Sequence, residues 1–519
     1  MVNRVTSSVS CKVFTGLGVV VAALTASSTG LAATYQVGPG KPYATLNAVA
    51  SKLMPGDVVE VMGDKTYTGG VLLSKSGTST QKITIRGVRV NGKRPVLSGG
   101  TNTIEMAGNY NVLEGFDLTG GTSRCLYHHG HEITVRDTVV HNCPSHGILG
   151  ADSGSGSLTL ETVEVYAAGM GTTRHPIYMA TDESTYPGAV FRMKHCYVHD
   201  GLGGNAVKSR AERNEIYYNW IEGATYRELE LIEPDGQDAS LAREDSDVVG
   251  NVIRKTNTFY AVRIGSDGTD VGTKGRYRFV NNTFLVQPSG KAVIQAFGGV
   301  QTLEMHNNAF YRLSGGGVTV LDTSNVAWAA GKALITGQNN WAAQGSSVPS
   351  QFVGTLFGVD PKFTGMATYD LRPATASPLR DKGSATPASP VGYAFPLPLA
   401  APKYVPPVKK VDLNVAGLVR VAVATIDIGA YEGAGLAATG EEEPTMEVAS
   451  AEVDEEEGVQ LAEDLEADEA EGDDALDMDA DGQAAMACAF GGGRAGGTGV
   501  VGIGAALGAL ALVRRRRRG

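Results

Sequence analysis

The sequence predicts an all-β solenoid, and two observations support this prediction. Two short β-rich runs recur along the chain every 22–33 residues, and Gly accounts for 68 of the 519 residues, about 13% against a usual 7%. Abundant Gly favours many tight turns. A β-sandwich would instead show strands at ~8–12-residue spacing with no longer period. The longer period therefore favours coils stacked along one axis.

A short helix and a strand open the predicted solenoid. Residues 43–53 carry apolar side chains at helical spacing, and Pro55-Gly56 ends that pattern. Residues 58–61 (Val-Val-Glu-Val) then begin the β-rich part of the chain. We therefore expect a capping helix at the N-terminal end of the first coil.

The first recurring run places Asn before apolar residues, at intervals of 32, 31, 26 and 32 residues. Asn side chains at one repeated corner can stack on one another and satisfy nearby backbone groups. Earlier copies keep the apolar run without Asn. The Asn residues are Asn219, Asn251, Asn282, Asn308 and Asn340, and the earlier copies begin at Phe116, Thr138, Val163 and Cys196.

The second run lies between copies of the first. One coil alone cannot bury its inward side chains, whereas coils stacked about 4.8 Å apart pair each backbone edge with the next. We therefore expect each coil to contribute strands to the same sheets. The members of the second run begin at Thr103, Cys125, His146, Pro176, Ala206, Leu229, Ala261, Ala292 and Val318.

Both ends of the chain differ in composition from the solenoid. Residues 1–33 combine two basic residues, an apolar run and small residues, which predicts a signal peptide. Residues 436–485 form an acidic spacer that is too highly charged to collapse, so we expect it to be disordered. Residues 486–519 contain Cys488, an apolar run predicted to form a membrane helix, and a terminal Arg cluster.

The three C-terminal features together resemble the sorting tails of myxobacterial surface proteins. That resemblance implies processing at Cys488 and retention at the cell surface. We therefore expect export through the secretory pathway, association with the cell surface or outer membrane, and contact with the membrane through the C-terminal helix. Release to the extracellular medium stays open as an alternative.

The charges of the central part nearly cancel. Eight of the 44 basic residues and 20 of the 55 acidic residues lie in the terminal segments, which leaves 36 against 35 over residues 33–440. A neutral body gives no support for nucleic-acid binding, and we expect a monomer. The central part holds Cys125, Cys143 and Cys196, so at least one is unpaired within it or pairs between chains.

The period, the Pro55-Gly56 opening and several closing motifs resemble the right-handed parallel β-helix proteins of the pectate-lyase-like class. The resemblance implies a β-helix with its N-terminal cap over 34–345 and a closing segment over 346–435. The Pro-rich stretch 385–408 is expected to be an extended surface excursion. This scaffold hosts lyases, hydrolases, epimerases and adhesins, so the fold does not by itself assign a function. The closing motifs are Asp360-Pro-Lys-Phe, Tyr369-Asp-Leu-Arg-Pro, Ser377-Pro-Leu-Arg-Asp-Lys-Gly and Asp427-Ile-Gly-Ala-Tyr-Glu.

Strand alternation predicts a row of outward side chains on the second run. Its members are Glu105, Tyr127, Tyr178, Lys208, Glu230 and Arg263, with His129 and Arg210 two residues further along. Glu228 is expected to form an acidic column beside this row, whereas His128 is expected to face the interior. A groove along this sheet would suit an extended polymer.

The row contains the groups that β-elimination on a uronic-acid polymer needs, namely a cation for the carboxylate, a base and an acid. We predict Lys208 as the base, its pKa lowered by neighbouring cations, and Tyr178 or His129 as the acid. Arg210 or Arg263 would hold the carboxylate. The remaining predicted substrate contacts are Glu228, Glu230 and Tyr127.

Calcium is the one cofactor that the sequence suggests. Asp235 and Asp238 lie in a loop beside the row, and Asp267 and Asp270 lie in the next loop. Carboxylates of this kind bind Ca²⁺ in some lyases of the resembled class. Asp-Gly pairs also form ordinary turns, which is the simpler explanation.

The sequence leaves a second class of function open. The same charged row, if evenly ion-paired, would be a solvated ladder on a protein that binds glycan or mediates adhesion without catalysis. In either case we expect the substrate or partner to be an extracellular or cell-wall polysaccharide.

Overall fold

The computed structural model describes residues 32–433 except for 234–244, 268–274, 288–290, 325–333, 391–394, 396, 400, 412–416 and 423. The predicted signal peptide, acidic spacer and C-terminal helix lie outside these residues, apart from the two residues at the end of the signal peptide. Over the described ranges, no helix is long and apolar enough to cross a membrane.

Three stacked parallel sheets make up the described part of the chain. In chain order, most coils contribute one strand to sheet A, one to sheet B and one to sheet C. The 13 strands of sheet A are Thr34–Val37, Val58–Met62, Ile83–Val88, Asn111–Glu114, Ile133–Arg136, Leu158–Glu161, Val190–Lys194, Arg213–Tyr217, Asp245–Val249, Arg276–Val280, Thr302–His306, Leu334–Gln338 and Phe352–Val353.

Sheets B and C contain 12 and 10 of the described strands. Sheet B comprises Thr66–Thr68, Val96–Ser98, Asp117–Thr119, Val139–Cys143, Glu164–Ala168, Tyr197–His199, Trp220–Glu222, Val252–Arg254, Thr283–Val286, Ala309–Arg312, Trp341–Ala343 and Leu356–Gly358. Sheet C comprises Val71–Leu73, Asn102–Met106, Arg124–His128, His146–Gly150, Ile177–Ala180, Val207–Arg210, Leu229–Ile232, Val262–Gly265, Ile294–Ala296 and Leu321–Asp322.

This arrangement is a parallel β-helix. Each strand pairs with its equivalents one coil before and after, so the inward side chains of successive coils stack into one continuous apolar core. The predicted capping helix is present in short form as Asn47–Ala50. A 3₁₀ helix, Met366–Thr368, and an antiparallel pair, Phe363–Gly365 with Asp370–Pro373, follow the last coil.

The first run predicted from the sequence forms the strands of sheet B, and the second run forms those of sheet C. The strands of sheet A were not predicted as a third recurring run. Its strands carry buried charged residues on the face away from the core, as in Asp245–Val249 and Arg276–Val280. Such strands lack the apolar content by which the other two series were found. The sheets also continue beyond the expected boundary at 345, as far as Leu356–Gly358.

A buried asparagine ladder lies at the corner between sheets A and B. From the second member onward, each Asn side-chain oxygen accepts hydrogen bonds from the backbone and side-chain N–H groups of the Asn one coil earlier, at 2.8–3.1 Å, and the first oxygen, that of Asn219, accepts the Cys196 backbone N–H at 2.9 Å. Its members are the five residues predicted from sequence, Asn219, Asn251, Asn282, Asn308 and Asn340, and all are fully buried.

The Pro-rich stretch 385–408 is not a free surface excursion where the structure describes it. Phe395 is buried, and its ring centroid lies 3.6 Å from the Arg278 guanidinium of sheet A. Arg278 also donates to the backbone oxygen of Leu397 at 3.0 Å. The charged outer face of sheet A attracts this segment because its buried arginines need acceptors and ring faces.

The three cysteines divide into a pair and a single residue. Cys125 and Cys143 form a disulfide, and Cys196 is a buried free thiol. Burial raises the pKa of the Cys196 thiol to about 12, so this residue is unreactive.

Candidate functional site

One row of side chains runs across sheet C on the side away from the core. The alternating residues Val207, Leu229 and Leu231 pack inside, so the residues between them face outward. In register, the row is Glu105, Tyr127, Leu149, Tyr178, Lys208, Glu230, Arg263 and Gln295. The structure thus places the residues aligned from the sequence in one row, with Leu149 filling a coil that the alignment had left empty.

Lys208 and Tyr178 are direct neighbours in this row. They are register partners on adjacent strands, and the Lys208 ammonium lies 5.1 Å from the centroid of the Tyr178 ring. Lys208 is 5% exposed, whereas Tyr178 is half-buried and reaches the surface. A potential base and a potential acid therefore lie side by side at the outer wall of the β-helix.

Glu230 is the centre of a buried polar network on the next coil. Its carboxylate accepts hydrogen bonds from Asn205 Nδ2 at 2.6 Å and from Arg227 and Arg263 Nη1 at 3.2 Å each. Glu230 and Arg263 are each 2% exposed. The predicted contacts of Glu230 and Arg263 with substrate would have to compete with these internal bonds.

Arg210 lies on the same strand as Lys208 and is bound to the following loops. It donates to the backbone oxygen of Glu233 at 2.8 Å and pairs with Asp267, which also pairs with Arg263 at 3.0 Å. Burial favours the neutral form of Asp267, but Arg210, Arg263 and Lys208 together outweigh it and lower its pKa to about 2. The cations expected to flank Lys208 are therefore largely neutralised by Asp267 and Glu230.

Glu228 does not belong to the outer row. It is fully buried, and its carboxylate pairs with Lys255 at 3.1 Å. Burial raises the pKa of Glu228 to about 8 in spite of the Lys255 charge. The structure gives this side chain no accessible surface for the predicted substrate contact.

His129 and Tyr127 lie three coils away from Lys208, a distance of ~14 Å at the spacing of paired strands. Their rings stack at 5.3 Å, the Arg124 guanidinium covers the Tyr127 ring at 4.4 Å, and His129 lies 3.9 Å from Glu105. His129 therefore cannot protonate a bond at which Lys208 acts as base. His128 is buried as predicted, and its Nε2 lies 3.0 Å from the backbone oxygen of Gly156.

Two histidines that sequence reasoning did not assign lie beside Tyr178. The ring centroids of His175 and His146 are 5.5 and 6.0 Å from that of Tyr178, and both histidines are buried. Each His precedes the outward residue of its coil by three positions, where other coils carry Asn102, Arg124, Asn205 and Arg227. This recurrence of polar residues was the signal in the sequence.

The suggested calcium site lies largely outside the described residues. Asp235, Asp238 and Asp270 fall there, and the carboxylate of Asp267 is held by two arginines, an environment that disfavours a metal ion. Nor do the residues the structure does describe contain a group of three or more His, Cys, Asp or Glu that could hold a metal.

Glu183, in the loop after Ile177–Ala180, is buried, and neither of its carboxylate oxygens has a hydrogen-bond partner in the described structure. Burial and then the neighbouring Glu212 raise its pKa to about 8. Between pH 4.5 and 8 the unfolded chain releases this proton while the folded chain retains it, so stability falls as pH rises.

We expect Glu183→Gln to remove that contribution. The unfolding free energy of the variant, minus that of the unchanged chain, should therefore grow by ~1.4 kcal/mol for each pH unit between pH 5 and 8. Urea unfolding at pH 5, 6.5 and 8 measures the difference. Parallel pH profiles of the two proteins would show that Glu183 is ionised in the folded chain.

No protein-family model matches the sequence, and no curated protein matches it either. Several solved structures are similar to the chain at low identity and low TM-score. An alginate lyase from Paenibacillus sp. str. FPU-7 is 18% identical with a TM-score of 0.39, covering 57% of this chain and 99% of its own. The pectate lyase Pel9A is 12% identical with a TM-score of 0.39, covering 77% and 96%.

A GH136 lacto-N-biosidase from Eubacterium ramulus is also similar, at 12% identity and a TM-score of 0.36 over 63% of this chain and 68% of its own. The stacked parallel sheets themselves identify the described chain as a parallel β-helix.

Proposed function

We propose that this protein is an exported, surface-associated lyase that cleaves a uronic-acid polysaccharide by β-elimination. The observation that carries the proposal is the contact of Lys208 with Tyr178 on adjacent strands of sheet C, 5.1 Å from ammonium to ring centroid. The predicted signal peptide and sorting tail support export and retention at the cell surface.

In the proposed reaction, the Lys208 amine removes the C5 proton of the uronate. The electrons of that C–H bond form the C4–C5 double bond as the C4–O4 bond breaks, and the Tyr178 hydroxyl protonates O4. The two groups occupy neighbouring coils about 4.8 Å apart, which suits two reacting atoms on one sugar ring.

The shared wall also points to a configuration of the sugar. Lys208 and Tyr178 both reach the bound polymer from sheet C, so the C5 hydrogen and O4 must be accessible from one side. They lie on the same side of the ring in manno- and gluco-configured uronates and on opposite sides in galacturonate and guluronate. We therefore expect polymannuronate to be cleaved faster than polygalacturonate.

The test is absorbance near 235 nm, which reports unsaturated ends, with the full chain on both polymers, with and without calcium. We expect Lys208→Ala and Tyr178→Phe to lower kcat by ~10²- to 10⁴-fold, the usual contribution of a general base or acid. Lys93→Ala is the control, because Lys93 is exposed, pairs with Asp64 and does not belong to the row. Full activity of Lys208→Ala would exclude this mechanism.

A non-catalytic glycan-binding protein is the second candidate. The neutralised network of Glu230, Arg263, Arg210 and Asp267 favours it, because an evenly ion-paired wall needs no chemistry to explain it. Binding of acidic polysaccharide without unsaturated products from any uronate would support this reading.

A further inference from the structure

One ring nitrogen of His175, Nδ1, is a hydrogen-bond acceptor. The backbone N–H of Asn205, one coil later, donates to His175 Nδ1 at 2.9 Å. The backbone N–H of His175 in turn donates to His146 Nδ1 at 3.2 Å. A ring nitrogen that accepts a hydrogen bond is unprotonated, so the proton of each neutral ring is on Nε2.

Both rings are neutral at ordinary pH. Burial, and next the charge of Lys208, hold the pKa of His175 well below its usual range. Burial and the nearby Arg174 lower the pKa of His146 to about 3. The two imidazoles are therefore N–H donors whose protonation does not change over the pH range in which a polysaccharide lyase works.

The Nε2–H group of His175 has no acceptor in the described structure, although the residue is only 1% exposed. An unsatisfied buried donor costs ~1–3 kcal/mol, and an acceptor on a bound ligand would remove that cost. The His175 ring meets the Tyr178 ring edge to face at 5.5 Å. This donor therefore lies at the wall where the proposed chemistry takes place.

We propose that the Nε2–H of His175 donates to the carboxylate of the bound uronate, with the His146 ring beside it. The inference rests on the proposed function and replaces the role first expected of Arg210 and Arg263. Those guanidiniums are engaged by Asp267 and Glu230, whereas the Nε2–H group of His175 has no acceptor in the described structure.

The neighbouring coil offers a substitution that isolates this donor. Asn205 occupies the position equivalent to His175, and its Oδ1 accepts the Arg227 backbone N–H at 3.0 Å, as His175 Nδ1 accepts that of Asn205. His175→Asn should thus keep the hydrogen bond between coils and remove the Nε2–H group, because the amide N–H groups of the shorter Asn side chain lie closer to the backbone than Nε2 does. His131→Asn is the matched control, since His131 Nδ1 likewise accepts a backbone N–H, from Ser157 at 3.1 Å, outside the row.

We expect His175→Asn to raise KM for an acidic uronate polymer ~10- to 100-fold, the value of a hydrogen bond to a charged group, with kcat less affected. Activity on the methyl-esterified polymer, which lacks the carboxylate charge, should change much less, and His131→Asn should change neither. Thermal unfolding identifies a variant that fails to fold. An unchanged KM in a folded variant would overturn the inference.

A second measurement separates this inference from the lyase mechanism. If the unchanged chain cleaves no uronate, calorimetric binding of polymannuronate oligosaccharides is compared between the unchanged chain and His175→Asn. Weaker binding by the variant supports the carboxylate site although catalysis has failed. Equal binding, or no binding by the unchanged chain, refutes the site itself.

Discussion

Replacing Asn282 with Ala is expected to lower the free energy of unfolding by about 4 kcal/mol. Asn282 is fully buried, its Nδ2 donates to Val248 O at 2.8 Å and to Asn308 Oδ1 at 3.0 Å, and its Oδ1 accepts two hydrogen bonds from Asn251. Truncation leaves several of these groups without partners in the middle of the ladder, where water cannot replace the amide.

Chemical denaturation of the full chain, followed by circular dichroism, measures this effect. Asn47→Ala is the matched control because Asn47 is exposed and makes one long hydrogen bond, 3.5 Å to the backbone oxygen of Gly70. We expect that variant to remain within ~0.5 kcal/mol of the unchanged chain. Equal effects of the two substitutions would show that the ladder does not stabilise the coils.

Asp247→Ala is expected to destabilise the chain by ~3–5 kcal/mol. Asp247 is 2% exposed and accepts hydrogen bonds from Arg278 at 2.6 and 2.7 Å and from Arg213 at 2.8 Å. Both guanidiniums are buried against the ring of Phe395 in the Pro-rich stretch 385–408. Removing the carboxylate therefore leaves two positive charges near each other and away from water.

Glu114 provides the control because it makes the same kind of bridge at the surface. Its carboxylate joins Arg86 at 2.5 Å and Arg136 at 2.6 Å, and those arginine side chains are 46% and 50% exposed. Water solvates both cations after Glu114→Ala, so a loss of ~1 kcal/mol or less is expected. A loss as large as that of Asp247→Ala would mean that burial does not decide the strength of these bridges.

The periodic features of the fold were predictable from the sequence. Asn219 to Asn340 recur at the interval of one coil because only a side chain that both donates and accepts can continue the ladder at that corner. The outer row was predictable for a similar reason, since strand alternation and the return of one such strand in every coil bring Tyr178 next to Lys208.

The state of the charges in that row was not predictable. Asp267 binds Arg210 across 57 residues of sequence, and Glu230 binds both Arg227 of its own coil and Arg263 of the next. The role of His175 was not predicted because its Nδ1 accepts from a backbone N–H of the next coil, and a backbone N–H is the same for every residue type except Pro. The arrangement of these partners depends on the loops, whose lengths vary from coil to coil.

The sequence by itself determined the repeating unit, the inward and outward faces of sheet C, and the row that holds Lys208. These follow from local alternation and period, which each coil encodes independently. Only the tertiary structure decided that carboxylates neutralise Arg210 and Arg263, that Glu228 is buried against Lys255, and that the Phe395 segment covers sheet A. Those outcomes depend on contacts between distant segments, where desolvation and charge pairing act together and leave no periodic trace.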